Sequence, residues 1–235
     1  MNHEMPGTRM SCCIGPAIYN PDHHSSEETA LIDLYLAGTA NGFRAAVALA
    51  ECGLEYRAHK VDLVKGEQRT DAFLAMNPAG QIPVMVDHDA PGGEVTLAQS
   101  GAIILYAAEK SGRFLPKDPA ARAAVLRWFM LGATDVAAAS GAIFQLEVVA
   151  PEKNEAITEH FRKRFLKYLS VCDAQLAKGN EFIAGELSVA DFMIYPNYFA
   201  RKALIDAAGG FAALHAWGAR MGARPGVQKG MNPFA

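Results

Sequence analysis

Residues 77–87, with the sequence NPAGQIPVMVD, combine a turn with the start of a strand. Two prolines and a glycine come first, and the Val-Met-Val run that follows is typical of a buried strand. Pro83 stands at the mouth of that strand, where it removes one donor from the sheet and where the Ile82–Pro83 bond can be cis. A proline at the first residue of an edge strand accounts for this arrangement. A second interpretation accounts for it equally well, in which the backbone before Pro83 is held still to receive a peptide-like ligand.

The segments on either side of residues 77–87 predict alternating strands and helices. In order they are a strand at 30–36, a helix at 42–52, a strand at 55–63, a short helix at 70–76, a hairpin at 82–98 and a helix at 100–112. Asn41 is predicted as the N-cap of the first helix and Gly53 as its C-cap. Two parallel strands joined by a helix and extended by an antiparallel hairpin predict a thioredoxin-like domain.

The sequence beyond this unit predicts an all-helical second domain. Amphipathic patterns run over 119–149, 152–178, 189–204 and 210–222. The predicted organisation is an irregular N-terminal arm at 1–29, an α/β thioredoxin-like domain at 30–112, a proline-containing linker at 113–120 and an all-α domain at 121–235. Ser188 and Asp191 form an S-x-x-D capping box, with Leu187 and Phe192 spaced as a hydrophobic staple. This motif favours a structural role for Asp191 over a catalytic one.

Composition excludes several classes of function. The 235 residues carry a net charge of −3, with 51% hydrophobic and 20% charged residues, which gives no reason to expect nucleic-acid or anionic-membrane binding. No apolar run approaches the ~20 residues that span a bilayer, and the N-terminal segment lacks the pattern of a secretory signal. A cytoplasmic protein is therefore expected. The basic run at 159–169 is interpreted as a solvated helix face.

The cysteines predict neither a structural metal site nor a dithiol redox motif. They are Cys12, Cys13, Cys52 and Cys172. None has the C-x-x-C or C-x-x-H spacing of such sites. Cys12 and Cys13 could form a vicinal disulfide, but two free thiols are favoured for this compartment. His23 and His24 have no second ligand pair at matching spacing, so no metal is expected.

Five segments in order resemble the cytosolic glutathione transferase superfamily. They are NPAGQIPVMVD (77–87), LAQSGAIILYAAEK (97–110), FLPKDPAARAAVLRW (114–128), FIAGELSVAD (182–191) and ARPGVQKG (223–230). The segment at 34–68 is similar to the bacterial nu class, whose first turn is Thr-Pro-Asn-Gly. Here the turn is Thr39-Ala40-Asn41-Gly42, so the proline is missing. The resemblance implies a homodimer, a glutathione site on the first domain and a hydrophobic co-substrate site between the domains.

The resemblance and the local chemistry together give a predicted glutathione site. Ile82 is expected to offer its N–H and C=O to an extended tripeptide, which docks as an added strand. Gln99 and Ser100 begin a helix, where free N–H groups and the helix dipole favour the γ-glutamyl carboxylate. Ser100 as a plain N-cap and Gln68 as an exposed loop residue remain the alternatives. The predicted glutathione-binding residues are Gln68, Gln81, Ile82, Pro83, Gln99 and Ser100.

Catalysis with glutathione requires a thiolate. A free thiol has a pKa near ~8.5, and lowering it by about two units requires ~2.7 kcal/mol. One or two hydrogen bonds with help from a helix N-terminus can supply this stabilisation. The candidates at the end of the first strand are the Thr39 hydroxyl, the Asn41 amide and the backbone N–H groups of the turn, whereas Tyr35 is assigned to the core. Because no cysteine or serine occupies the turn, the sequence argues against the beta and omega branches and against a glutaredoxin.

These expectations define a glutathione-dependent enzyme with a nu-class-like site. The expected chemistry is thiol–disulfide exchange, or attack by glutathione on an electrophilic carbon such as that of an aryl ether. A non-catalytic module that binds hydrophobic ligands or a protein partner is the alternative. Trp128, Phe129 and Tyr195 are the predicted lining of the co-substrate pocket.

Overall fold

The computed structural model describes residues 31–235, so the predicted arm at 1–29 and its Cys12 and Cys13 lie outside the described residues. The first part of the described chain is a mixed sheet with three helices. Its strands are β1 Ile32–Leu36, β2 Arg57–Lys60, β3 Val84–Asp87 and β4 Val95–Ala98, and its helices are α1 Ala40–Glu51, α2 Asp71–Met76 and α3 Ser100–Ser111.

The four strands pair in the order β2-β1-β3-β4. β1 and β2 are parallel, whereas β3 is antiparallel to both β1 and β4. The Met85 side chain belongs to the main core with α1 and α3, and that of Val84 belongs to a smaller cluster with Phe73 of α2. Both faces of β3 are therefore covered, which explains its continuous apolar sequence. The predicted thioredoxin-like arrangement is confirmed.

The second part of the described chain is helical. Its α-helices are α4 Pro119–Met130, α5 Ala137–Phe144, α6 Glu155–Leu176, α7 Val189–Ala200, α8 Lys202–Ala208, α9 Ala212–Gly222 and α10 Pro225–Met231. The π-helical turns Leu131–Val136 and Gln145–Val149 make α4 and α5 one continuous helical segment over 119–149. The pattern at 189–204 corresponds to two helices separated at Arg201, and α10 was not predicted from the sequence.

The helical segment Pro119–Val149 is long and apolar enough to cross a bilayer by length and composition alone. In the structure its apolar residues Val125, Phe129, Val136 and Ile143 are at most 6% exposed and belong to the core. Packing within the helical part of the protein thus accounts for one apolar face of this segment.

The start of α7 contains the predicted capping box. The Asp191 carboxylate is fully buried and accepts hydrogen bonds from the backbone N–H groups of Ile183 (3.0 Å) and Ser188 (2.9 Å) and from Trp217 Nε1 (2.9 Å). Burial raises the pKa of Asp191 to about 6, and these donors oppose the rise. Each donor would otherwise be buried without a partner, so the carboxylate has a structural role.

Helix α10 packs closely against α1. Gly230 lies so near the backbone of Val47 that an added Cβ would stand 2.4 Å from it. At the other end of α10, the Arg224 guanidinium forms a two-pronged ion pair with Glu51, at 3.0 and 2.7 Å. The C-terminal helix is therefore fixed to the helix that begins at the predicted thiol-activating turn.

Candidate functional site

Thr39 lies in the turn between β1 and α1 and caps the helix. Thr39 has extended backbone (φ −125°, ψ 161°), and its Oγ1 accepts a hydrogen bond from the N–H of Gly42 at 3.3 Å. Thr39 is therefore the N-cap of α1, and the prediction of Asn41 at that position is wrong. Asn41 lies inside the helix, because α1 begins one residue earlier, at Ala40. Gly42 has no room for a side chain, since an added Cβ would stand 2.3 Å from the carbonyl oxygen of Ala37.

Asn41 is exposed at the first turn of α1, and its side chain is held by Arg44. The Asn41 Oδ1 accepts a hydrogen bond from a terminal nitrogen of Arg44. The other guanidinium nitrogens donate to the carbonyl of Ala40 (3.2 Å) and to the sulfur of Met193 in α7 (3.2 Å). Arg44 is only 5% exposed, and burial lowers its pKa to about 10. It is therefore a buried cation at neutral pH, and the sequence analysis overlooked it.

A small cavity, open to solvent, lies where this turn meets the mouth of β3 and the start of α3. Its lining residues are Asn41, Asn77, Gln81, Ile82, Pro83, Gln99 and Ser100. The structure thus brings six of the predicted site residues together. Asn77 was not predicted, although the Asn-Pro pair that begins the segment at 77–87 is a turn signal.

The loop before β3 is shaped by Asn77. Its Nδ2 donates to the carbonyl of Gln81 at 2.7 Å, and its Oδ1 accepts from the N–H of Ala79 at 3.1 Å. The Ile82–Pro83 bond is cis, which the sequence analysis gave as one of its two possible forms. In the described part of the chain, the Ile82 N–H and C=O form no hydrogen bond with another backbone group. An extended peptide could therefore pair with them.

The start of α3 forms the opposite wall of the cavity. Gln99 precedes the helix with φ 74° and ψ 115°, a conformation that is rare for a residue other than glycine. Such strain is found where the surrounding structure holds a functional group in place. Gln99, not Ser100, is the N-cap, and its side chain makes no capping hydrogen bond. The first amides of α3 and the Ser100 hydroxyl are thus available to an anion.

The remaining predicted site residues, Thr39 among them, are not part of the cavity lining. Gln68 is close to Gly80, the residue before the cavity-lining Gln81: its backbone carbonyl oxygen is 3.1 Å from the position that a Cβ on Gly80 would take. Its side-chain Oε1 is buried and has no partner in the described chain. Trp128, Phe129 and Tyr195 are 6%, 3% and 5% exposed and pack in the core, so they do not line this cavity.

The described cysteines are remote from the cavity lining. Cys52 follows the last turn of α1, and Cys172 is fully buried in α6. Burial raises the pKa of the Cys52 thiol and raises that of Cys172 to about 12. Both thiols are therefore protonated at neutral pH and poorly nucleophilic. Among the described residues, no group of three histidine, cysteine or acidic side chains could hold a metal ion.

A thioredoxin-like sheet, an edge that can pair with a peptide and a helix start that can bind a carboxylate match the glutathione site of a transferase that the sequence resemblance implies. Residues 32–109 match the family model of the glutathione S-transferase N-terminal domain. The chain is 36% identical over 200 residues to the disulfide-bond oxidoreductase YfcG of Escherichia coli, covering 83% of this chain and 92% of that protein. The chain belongs to the glutathione S-transferase family, and the family predicted from the sequence is confirmed.

Solved structures of relatives share the fold along most of the chain. A glutathione transferase from Pseudomonas putida, with one glutathione disulfide bound per subunit, has a TM-score of 0.80 and 30% identity, covering 89% of this chain and 94% of that one. A glutathione transferase from Burkholderia graminis, with two glutathione molecules bound per subunit, has a TM-score of 0.79 and 27% identity, covering 86% and 88%.

Proposed function

We propose that this protein is a glutathione-dependent disulfide-bond oxidoreductase, which binds glutathione in the cavity between α1, β3 and α3. One observation carries the proposal: the cavity is lined by Asn41 of the turn before α1 (the thiol-side turn, residues 39–42), by Ile82 with its unpaired backbone groups, and by Ser100 at the start of α3. Thr39 and Asn41 would face the sulfur, Ile82 would pair with the cysteinyl backbone, and Gln99 and Ser100 would bind the γ-glutamyl carboxylate. Gln68 lies outside the cavity lining, so its predicted contact with glutathione is not part of this proposal.

The thiol-side turn would favour the ionised form of glutathione. The Thr39 hydroxyl, the Asn41 amide N–H₂ and the first amides of α1 are donors, and each interacts more favourably with a thiolate than with a thiol. Together they can supply the ~2.7 kcal/mol that corresponds to a shift of about two pKa units. A larger thiolate fraction at neutral pH increases the rate of nucleophilic attack.

The proposed reaction uses two glutathione molecules as the source of two electrons. The thiolate of the first attacks one sulfur of a substrate disulfide, the S–S bond breaks, and the other substrate sulfur leaves as a thiolate that takes up a proton. The thiolate of the second glutathione then attacks the mixed disulfide at the glutathione sulfur. Glutathione disulfide and the second substrate thiol are released. The name of YfcG as a disulfide-bond oxidoreductase supports disulfide exchange over transfer to carbon, as do the glutathione disulfide and the two glutathione molecules bound in the two solved relatives.

The assay that tests this function compares several electrophiles with glutathione as the common partner. We expect calorimetry to detect binding of glutathione and of its disulfide, and we expect a small alkyl disulfide to be turned over faster than haloaromatics or β-aryl ethers. A faster reaction with the haloaromatic or the ether would assign the enzyme to transfer chemistry. Absence of binding would favour the non-catalytic module.

We also propose that the protein is a cytoplasmic homodimer with two-fold symmetry. The family resemblance supports this assembly. The exposed apolar side chains Met130, Phe144, Val148 and Val149 on the segment 119–149 also support it, because a partner subunit could cover them. Light scattering should give about twice the 25.2 kDa mass of the chain. A mass near that of one chain at micromolar concentration contradicts the proposal.

A further inference from the structure

Arg44 is a buried cation without an anionic partner in the described chain. Its side chain is 5% exposed, and no carboxylate of residues 31–235 lies within ion-pairing distance of it. Burying an unpaired charge destabilises a fold unless hydrogen bonds compensate it. Three neutral acceptors surround the guanidinium: the Ala40 carbonyl, the Met193 sulfur and the Asn41 Oδ1. Hydrogen bonds therefore satisfy the guanidinium, but none of its partners in the described chain is an anion.

Arg44 contacts the candidate site through Asn41. Arg44 lies one turn after the N-terminus of α1, and of its three acceptors only the Asn41 side chain also lines the cavity. A guanidinium can only donate hydrogen bonds, so the Asn41 atom that faces it is the oxygen. The N–H₂ group of Asn41 is then the part left for a ligand in the cavity.

We propose that Arg44 is a positioning residue for thiol activation: it fixes the Asn41 amide with its donors toward the glutathione sulfur and stabilises the thiolate through its buried charge. This inference rests on the proposed glutathione site. The first effect is geometric, because a free Asn41 amide could rotate and present its oxygen to the sulfur. The second effect is electrostatic, because a cation acts over a longer range in a water-poor interior than at the surface.

The charged groups on the elements that pack against α1 pair with residues other than Arg44: on α3, Glu109 with Arg122 and Lys110 with Asp87; on α10, Lys229 with Glu55; on β1, Asp33 with His59 and His88. Glu51, at the far end of α1, is paired with Arg224 of α10. Asp191 of α7 is surrounded by Ile183, Ser188 and Trp217. Neither carboxylate contacts Arg44, so its positive charge is not neutralised by a described side chain.

The test measures the ionisation of bound glutathione in Arg44→Met, Arg44→Lys and the wild type. Thiolate absorbance and the pH profile of kcat/KM for the disulfide at saturating glutathione should both show a midpoint about one unit higher in Arg44→Met, which lowers kcat/KM about tenfold at pH values below both midpoints. The Kd of glutathione below that midpoint should change less than about threefold, because the peptide and carboxylate contacts remain. Arg44→Lys, which keeps the charge, should restore most of the shift.

Arg224→Met is the matched control for loss of stability. It removes a second arginine that packs on α1, but at the end remote from the cavity, and we expect the thiol midpoint to stay in place. A double-mutant cycle of Arg44→Met with Asn41→Ala in the ligand-free protein gives a second readout, and we expect the two changes to be coupled in the free energy of unfolding.

The outcomes separate this inference from the proposed function. If wild-type protein binds and ionises glutathione but Arg44→Met has an unchanged midpoint, the inference is wrong and the proposed function stands. An absence of coupling between Arg44 and Asn41 also overturns the inference. If wild-type protein does not bind glutathione, both the proposed function and the inference fail.

Discussion

The hydroxyl oxygen of Thr39 accepts a hydrogen bond from the backbone N–H of Gly42 at 3.3 Å, which leaves the hydroxyl proton of Thr39 free for a second partner. In the proposed function, this one side chain would cap α1 and also donate to the glutathione sulfur. The two roles can be separated by substitutions that keep only one of them.

The first prediction distinguishes capping from thiol activation at Thr39. Thr39→Asp keeps the cap acceptor but replaces the hydroxyl donor with a negative charge, so we expect a stable protein with kcat/KM lowered by at least about tenfold. Thr39→Ser keeps the acceptor and the donor and should stay within about threefold of wild type. Steady-state kinetics and thermal melts of both variants provide the measurement. Wild-type activity in Thr39→Asp would exclude the hydroxyl from the mechanism.

The second prediction concerns the start of α3. Ser100→Ala removes a hydroxyl that lines the cavity beside the first amides of the helix. Loss of a hydrogen bond to a charged carboxylate should weaken glutathione binding by about 1 to 3 kcal/mol, measured by calorimetry. Ser111→Ala is the control, because the Ser111 hydroxyl bonds the carbonyl of Ala108 at the other end of the same helix. Equal affinities in the two variants would mean that the carboxylate binds elsewhere.

The order of elements in the first part of the chain was predictable because its signals are local. Glycines, caps and apolar runs mark each strand and helix there, and the segment at 77–87 fixes the mouth of β3. The identity of the α1 cap was not predictable, since Thr39 and Asn41 are both good capping residues and the backbone decides between them. Helix α10 was missed because Gly226 and Gly230 lower its intrinsic helix propensity, and it forms against α1.

Site residues could be predicted where their position depends on a backbone feature such as a helix start. They could not be predicted where their role depends on the direction in which a side chain points. Gln99 and Ser100 follow from the position of a helix start. Trp128 and Tyr195 were chosen by residue type, and the direction in which a helical side chain points depends on tertiary packing. Arg44 was missed for the same reason, because an arginine within a helix is usually exposed.

The third prediction concerns a charge cluster on β1. Asp33 lies between His59 Nε2 (2.7 Å) and His88 Nε2 (2.9 Å), and His88 Nδ1 is 2.7 Å from Glu94. Burial opposes ionisation of Asp33, but hydrogen bonds from the two imidazoles outweigh it and hold the pKa of Asp33 below its usual 3.8. The hydrogen bond with Asp33, followed by that with Glu94, raises the pKa of His88 above its usual 6.5 against desolvation.

The signs of these shifts give a pH window. Charged His88 stabilises the fold fully below its unfolded pKa, and this contribution is lost as pH rises through its raised folded pKa. Ionised Asp33 contributes above its unfolded pKa, and this contribution is lost as pH falls through its lowered folded pKa. We expect His88→Gln to lower Tm more at about pH 5.5 than at about pH 9, where the imidazole is neutral in both states.

His160→Gln is the control for His88→Gln, because His160 is exposed and forms no ion pair with a described residue. The change in Tm of His160→Gln gives the baseline for removing an exposed imidazole. A pH-independent effect of His88→Gln would show that the cluster stabilises the fold by packing alone.

The last prediction is that the protein's own cysteines do not take part in the reaction. The described thiols, Cys52 and Cys172, are buried with raised pKa values and do not line the cavity. A variant with serine at positions 12 and 13 and alanine at 52 and 172 should therefore keep turnover within about threefold of wild type. We expect a lower Tm, because Cys172 is fully buried and its truncation leaves a cavity.

Asn41→Ala in the cysteine-free background is the matched comparison. It removes the amide that faces the cavity without touching a thiol of the protein, and turnover should fall by at least about tenfold. The attacking sulfurs would then belong to bound glutathione in both half-reactions. If instead the cysteine-free protein is folded by circular dichroism but inactive, a cysteine of the chain carries the electrons and the two-glutathione mechanism is wrong.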